Sequence, residues 1–112
     1  MEKRYSDYSQ EELRQEIGRL KEKALKAEQL GIVNEFAVYE RKIIMAKSYM
    51  LDPEDFKSNT YYELEGDPAH LFYIEYMNGV FAWGYRVTKA LEKAGEGEEA
   101  LPIAMLGNSV KV

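Results

Sequence analysis

Apolar positions recur at spacings of three and four through the first half of the chain, then crowd into shorter β-branched and aromatic runs. Leu13, Ile17, Leu20, Ala24 and Ala27 form one such stripe and predict an amphipathic helix. Ser9 and Glu12 have capping-box spacing, and Tyr8 with Leu13 occupies the hydrophobic-staple positions, so the helix should open there. Gly31 should end it by taking the left-handed conformation after Leu30. A second stripe, Ile32, Phe36, Tyr39, Ile43, Ala46 and Met50, predicts a second helix with Asn34 as its N-cap and Asp52-Pro53 as its stop. So short a connection forces an antiparallel hairpin. The wider second stripe predicts two neighbours, the first helix and a sheet, and any part left uncovered would favour a homodimer.

Beyond a polar linker, Thr60–Glu65 alternates as a strand with Tyr62 and Leu64 on one side. Gly66-Asp67-Pro68 then reads as a turn. The stretch His70–Val87 carries Asn78-Gly79 between two aromatic runs, the pattern of a type I′ hairpin. With those two residues as the loop, Tyr76 faces Phe81, Ile74 faces Trp83 and Phe72 faces Tyr85, and all six side chains share the buried face. Phe72, Ile74, Phe81 and Trp83 are therefore the expected core, while Gly84 marks a bulge or a close backbone approach. Residues 88–99, with Gly95 and Gly97, read as a mobile excursion containing a helical turn at 90–94. Ala100–Leu106 reads as a strand in which Pro102 suits only an edge or bend, and Asn108–Val112 as a short strand or a frayed end. Four or five short strands in a meander can close into a small barrel.

Composition narrows the function. The 112 residues contain no cysteine, which excludes disulfides, thiolate catalysis and zinc–thiolate sites. Neither an apolar leader nor a run of about 18 apolar residues is present, so a soluble cytoplasmic protein is expected. The net charge is −5, and residues 52–70 concentrate six acids against Lys57. That balance argues against nucleic acid and anionic membrane as partners.

Conventional catalytic chemistry lacks its parts. His70 is the only histidine, without a second His or Cys to complete a metal site or relay, and is read as a surface residue at a strand start. Asp52, Glu54 and Asp55 resemble a cation loop only superficially, because Phe56 interrupts the ligand ladder; Asp52 is better read as the cap of a turn opened by Pro53. Gly95-Glu96-Gly97 lacks the Lys-Ser/Thr of a phosphate loop. Arg19, Lys23 and Lys26 alternate with glutamates as a solvated helix face, whereas Arg41, Lys42 and Lys47 have fewer acids nearby. No catalytic residue, metal or cofactor is assigned, and the chain is expected not to be an enzyme. Tyr61, Tyr73, Tyr85 and Arg86 are the candidate ligand-binding residues, an aromatic and cationic ledge if they gather beside residues 88–99.

The segments RKIIMAKSYMLDPEDF, NGVFAWGYR and EALPIAML resemble the YfhH-like family of small bacterial proteins, over essentially the full length. The resemblance implies an N-terminal helical hairpin attached to an SH3-like β-barrel and a Gram-positive cytoplasmic origin. It implies no activity, and no catalytic or ligand residue carries over. The expected architecture is therefore α+β, with an antiparallel helical hairpin over residues 1–55 packed on a small SH3-like β-barrel of four to five strands over residues 56–112. The expected function is a non-catalytic interaction module for a protein partner. The alternative is single-stranded nucleic-acid binding through surface tyrosines of the barrel.

Overall fold

The computed structural model describes residues 3–112, and of Glu96 the backbone alone. The chain divides into two compact units, Met1–Leu51 and Asp52–Val112, so the turn at Pro53–Asp55 goes with the sheet. No helix among the described residues is long and apolar enough to cross a membrane.

In the first unit, helix α1 (Gln10–Gln29) and helix α2 (Val33–Met50) follow a 3-10 turn at Tyr5–Asp7. The capping box forms as its spacing requires: Ser9 Oγ accepts from the Glu12 N–H at 3.1 Å, and Glu12 Oε1 accepts from the Ser9 N–H at 3.0 Å. Leu13, Ile17, Leu20, Ala24 and Ala27 are all buried, with Tyr8 packed against their cluster. Gly31 sits at φ 71°, and the Ile32 and Gly31 N–H groups donate to the carbonyls of Ala27 and Glu28, a Schellman closure.

That closure explains one departure from expectation. Ile32 already belongs to both helices, because its carbonyl accepts from the Phe36 N–H. Helix α2 therefore begins at Val33, Ile32 is its N-cap without a side-chain cap, and Asn34 lies inside the first turn.

The second unit is an antiparallel sheet of β1 (Thr60–Leu64), β2 (His70–Asn78), β3 (Phe81–Thr88), β4 (Lys93–Pro102) and β5 (Leu106–Val110), in the order β4-β3-β2-β1-β5. The two outer strands do not pair, so the sheet is open where a closed barrel was expected. A 3-10 turn at Ile103–Met105 joins them, its Ile103 N–H donating to the Val80 carbonyl and its Met105 carbonyl accepting from the Glu65 N–H. Asp52 caps the Pro53–Asp55 turn by accepting from the Glu54 N–H at 2.9 Å.

The central hairpin reverses sharply, but its register differs from the simple prediction. Asn78 pairs with Phe81, leaving Gly79 and Val80 as the loop. Only Gly79 takes a positive φ, 60°, in the first loop position, as a glycine-first turn requires. Near the turn Tyr76 then faces Trp83, an offset of two that preserves the faces. Between Ile74 and Tyr76 the ladder bulges, and beyond it Ile74 faces Gly84, Tyr73 faces Tyr85 and Phe72 faces Arg86. This residual slip of one puts Phe72 and Ile74 on the face opposite Trp83 and Tyr85, where they were expected to share one. Phe72 and Ile74 are fully buried as expected, joined on their side by Ala82 and Gly84, whereas Phe81 and Trp83 are only half-buried.

Residues 88–99 are a second correction. The chain turns over Thr88–Glu92 with Leu91 at φ 66°, forms no helix at 90–94, and returns as β4. Gly95 and Gly97, at φ 81° and 124°, lie where β4 bulges away from β3 between Ala94 and Glu99. Pro102 ends this edge strand, and the expected strand 100–106 is split by the 3-10 turn.

Candidate functional site

Direct partners on antiparallel strands point to the same face, and so do alternate residues along one strand. Tyr61 pairs with Tyr73, and Tyr73 with Tyr85, so the three tyrosines form a row across β1, β2 and β3. The Tyr61 and Tyr73 rings lie 5.0 Å apart. Trp83 continues the face along β3, its ring stacked on Tyr76 at 5.8 Å and nearly parallel. The tyrosines of the row and Trp83 are half-buried, and Tyr76 is 45% exposed. The result is an aromatic band running from Tyr61 to Tyr76.

The slip at the bulge creates this band. Had Ile74 faced Trp83, as the simple hairpin register requires, Trp83 and Tyr85 would have turned toward Phe72. Gly84 permits the alternative, because any Cβ there would overlap the Tyr73 carbonyl oxygen and crowd the Glu75 N–H. Trp83 and Tyr76, expected in the core and therefore missed as site residues, were legible only through that glycine.

The charged groups named around the band are two acids, Glu63 and Glu75, and one base, Lys93. The neighbouring Glu75 carboxylate, followed by burial, raises the Tyr85 pKa above the usual tyrosine value. Lys93 places its ammonium 4.3 Å from the Tyr85 ring centre. The Tyr73 hydroxyl donates to Asn59 Oδ1 at 2.8 Å, and Asn59 itself sits at φ 60°. Glu63 alternates with Tyr61 on the same side of β1.

Arg86 does not join the tyrosines. As the neighbour of Tyr85 it points to the opposite face, where its guanidinium bonds Asp67 at 2.9 Å and Glu99 at 3.0 Å. The Glu99 bond, followed by that of Asp67, raises the Arg86 pKa further. His70 Nδ1 lies 2.9 Å from Asp67 Oδ1, and this bond, with Arg86 behind it, holds the Asp67 carboxyl below its usual value. The arrangement ties the β1–β2 turn to β4, which gives Arg86 and His70 structural roles. Among the described residues no group of three His, Asp or Glu side chains could hold a metal ion.

The first unit contains a separate groove of about 850 Å³, lined from the Tyr5–Asp7 turn, α1 and α2. Tyr5, Tyr8 and Tyr49 pack edge to face at its base, with ring centres 5.3 and 6.4 Å apart. The Tyr5 hydroxyl donates to Glu16 at 3.0 Å, and burial followed by that bond pushes its pKa up to about 12.

Residues 3–107 match the family described as "Protein of unknown function (DUF1811)". The chain is also 54% identical over 106 residues to the "Uncharacterized protein YfhH" of Bacillus subtilis (strain 168), a match covering 95% of this chain and 96% of that protein. A match this long in both directions means that the chain belongs to the DUF1811 family, whose function is not known.

Proposed function

We propose that the chain is a non-catalytic binding module whose β unit, an open sheet read as SH3-like in strand order, takes a protein segment on its aromatic band. The SH3-like reading is supported by the β1–β4 meander with β5 returning beside β1, and by the 3-10 turn that carries the chain from one outer strand to the other. The binding reading rests on one observation, the Tyr61–Tyr73–Tyr85 row continued by Trp83 and Tyr76. Aromatic side chains with a polar tip supply contact area at low entropic cost, which is why they dominate recognition surfaces.

Charge favours a protein over a nucleic acid on this face. Residues 52–112 carry eleven acids and five bases, and Glu63 and Glu75 lie along the tyrosine row, so a phosphate backbone would be repelled. A segment bearing Lys or Arg beside apolar residues fits both the rings and the rim.

Trp83 is the only tryptophan, so its emission reports on the band directly. A photoreactive phenylalanine analogue at position 73 should crosslink a discrete partner in the native host, and the purified partner should shift Trp83 emission. Tyr61→Ser with Tyr85→Ser should weaken that binding by about tenfold or more. If labelled single-stranded oligonucleotides bind at low salt, and the same substitutions abolish their binding, the nucleic-acid alternative replaces this reading.

A further inference from the structure

Although the chain as a whole is acidic, the groove of the helical unit is not. Among the described residues it is lined by Lys3, Arg4, Arg19, Arg41 and Lys42 against one acid, Glu16. Two of these cations are already engaged: Lys3 bonds Glu12 at 2.8 Å, and Arg19 bonds Glu16 at 2.7 Å. Glu16 also accepts from the Tyr5 hydroxyl, so its charge is spent within the groove wall.

Arg4 and Lys42 have no acidic partner among the described residues, and Arg41 makes only a long 3.4 Å bond to the Ala37 carbonyl of its own helix. Three unpaired cations thus converge from two elements on one concave surface, where their mutual repulsion is relieved by an anion. Two of the three are arginines, whose planar donor fork matches phosphate oxygens. Beside them lie the rings of Tyr5, Tyr8 and Tyr49 with Met45, a surface on which a planar ring can pack. The volume, about 850 Å³, is in the range of small-molecule sites.

We infer that this groove binds a nucleoside polyphosphate, with Arg4, Arg41 and Lys42 on the phosphates and the tyrosine base against the nucleobase. Cations alone would suit inorganic phosphate equally well, and tyrosines alone would suit many apolar ligands. Only a ligand with both a polyanionic tail and a flat aromatic head uses the two halves together. A nucleic-acid strand would need cations continuing beyond the groove, whereas the flanking α1 surface carries Glu11, Glu12, Glu22 and Glu28 among its bases.

The test is calorimetric titration of the full chain at low salt with ATP, with tripolyphosphate, and with a short single-stranded oligonucleotide. ATP should bind saturably and more tightly than tripolyphosphate. Arg41→Glu with Lys42→Glu, and independently Arg4→Glu, should each weaken ATP by about tenfold or more, as expected for lost charge-assisted bonds. Lys47→Glu makes the same change in net charge as Arg4→Glu, on α2 outside the groove, and should leave ATP binding within about twofold. All four positions are exposed, and the fold of each variant is to be checked by circular dichroism. Absence of ATP binding to the folded chain, equal binding of tripolyphosphate, or equal losses from Lys47→Glu would overturn the assignment. Tight oligonucleotide binding without ATP binding would overturn it in favour of a strand.

Discussion

A missing methyl group governs how the β unit is assembled. Gly84 sits beside the register shift between β2 and β3 and the one between β3 and β4, and a Cβ there would overlap the Tyr73 carbonyl oxygen. Because the obstacle is paired backbone and cannot swing aside, Gly84→Ala is expected to cost about 3 kcal/mol or more in a urea denaturation. A loss within about 0.5 kcal/mol would show that β2 can move freely past β3. Glu12 is a second residue with an outsized role. The Lys3 ammonium, then the Ser9 N–H, lower its pKa from 4.5 to about 2. The unfolded chain therefore binds more protons than the folded one between those values. The Glu12 contribution is complete above pH 4.5 and is lost as the pH falls toward about 2. Asp67, held low by His70 and Arg86, acts in the same direction. Glu12→Gln should flatten the acid limb of a stability-against-pH curve, and an unchanged limb would mean that the Lys3 pair does not persist in solution.

Among the elements, the two helices start in different ways, and the difference can be measured. The N-cap of α1 is local chemistry: Ser9 and Glu12 close it between themselves, so Ser9→Ala should cost about 1 kcal/mol. Helix α2 starts from the Schellman closure of its predecessor, and the Asn34 side chain caps nothing. Asn34→Ala should accordingly change stability by no more than about 0.5 kcal/mol in the same denaturation series. A larger loss would mean that α2 refolds its first turn around Asn34. The β2–β3 hairpin shows a related contrast. Asn78-Gly79 marks the reversal, but the chain uses Gly79-Val80 as the loop, and the bulge beside Glu75 then sets which aromatics meet. Turn residues locate a reversal to within a residue. The faces depend on each single step.

For the whole molecule, charge separates along the chain: residues 1–51 carry ten bases and nine acids, while the remainder is strongly acidic. The two proposed sites follow that division, an anion-binding groove in the helical unit and an acid-rimmed aromatic band in the β unit. Where α1 meets α2, Leu30, Ile32 and Val33 are 66%, 39% and 75% exposed around a small cleft floored by Ala27 and Phe36. A second copy would cover this apolar tip. Light scattering over a concentration series should show the mass rising toward a dimer, and Val33→Glu should hold it at the monomer. A constant monomer mass for the parent chain would remove the dimer. By itself, the amino-acid sequence determined both helices, the capping box, the glycine stop, the strand β1 and the position of the central reversal. Each of these is written in residues a few positions apart, within reach of one turn or one strand. Tertiary structure alone decided that Arg86 turns away to Asp67 and Glu99, that Trp83 and Tyr76 join the aromatic band, that residues 93–102 pair as an edge strand, and that Arg4, Arg41 and Lys42 line one groove. Those outcomes depend on a one-residue bulge and on contacts between segments far apart in the chain, where no local spacing records which neighbour will be met.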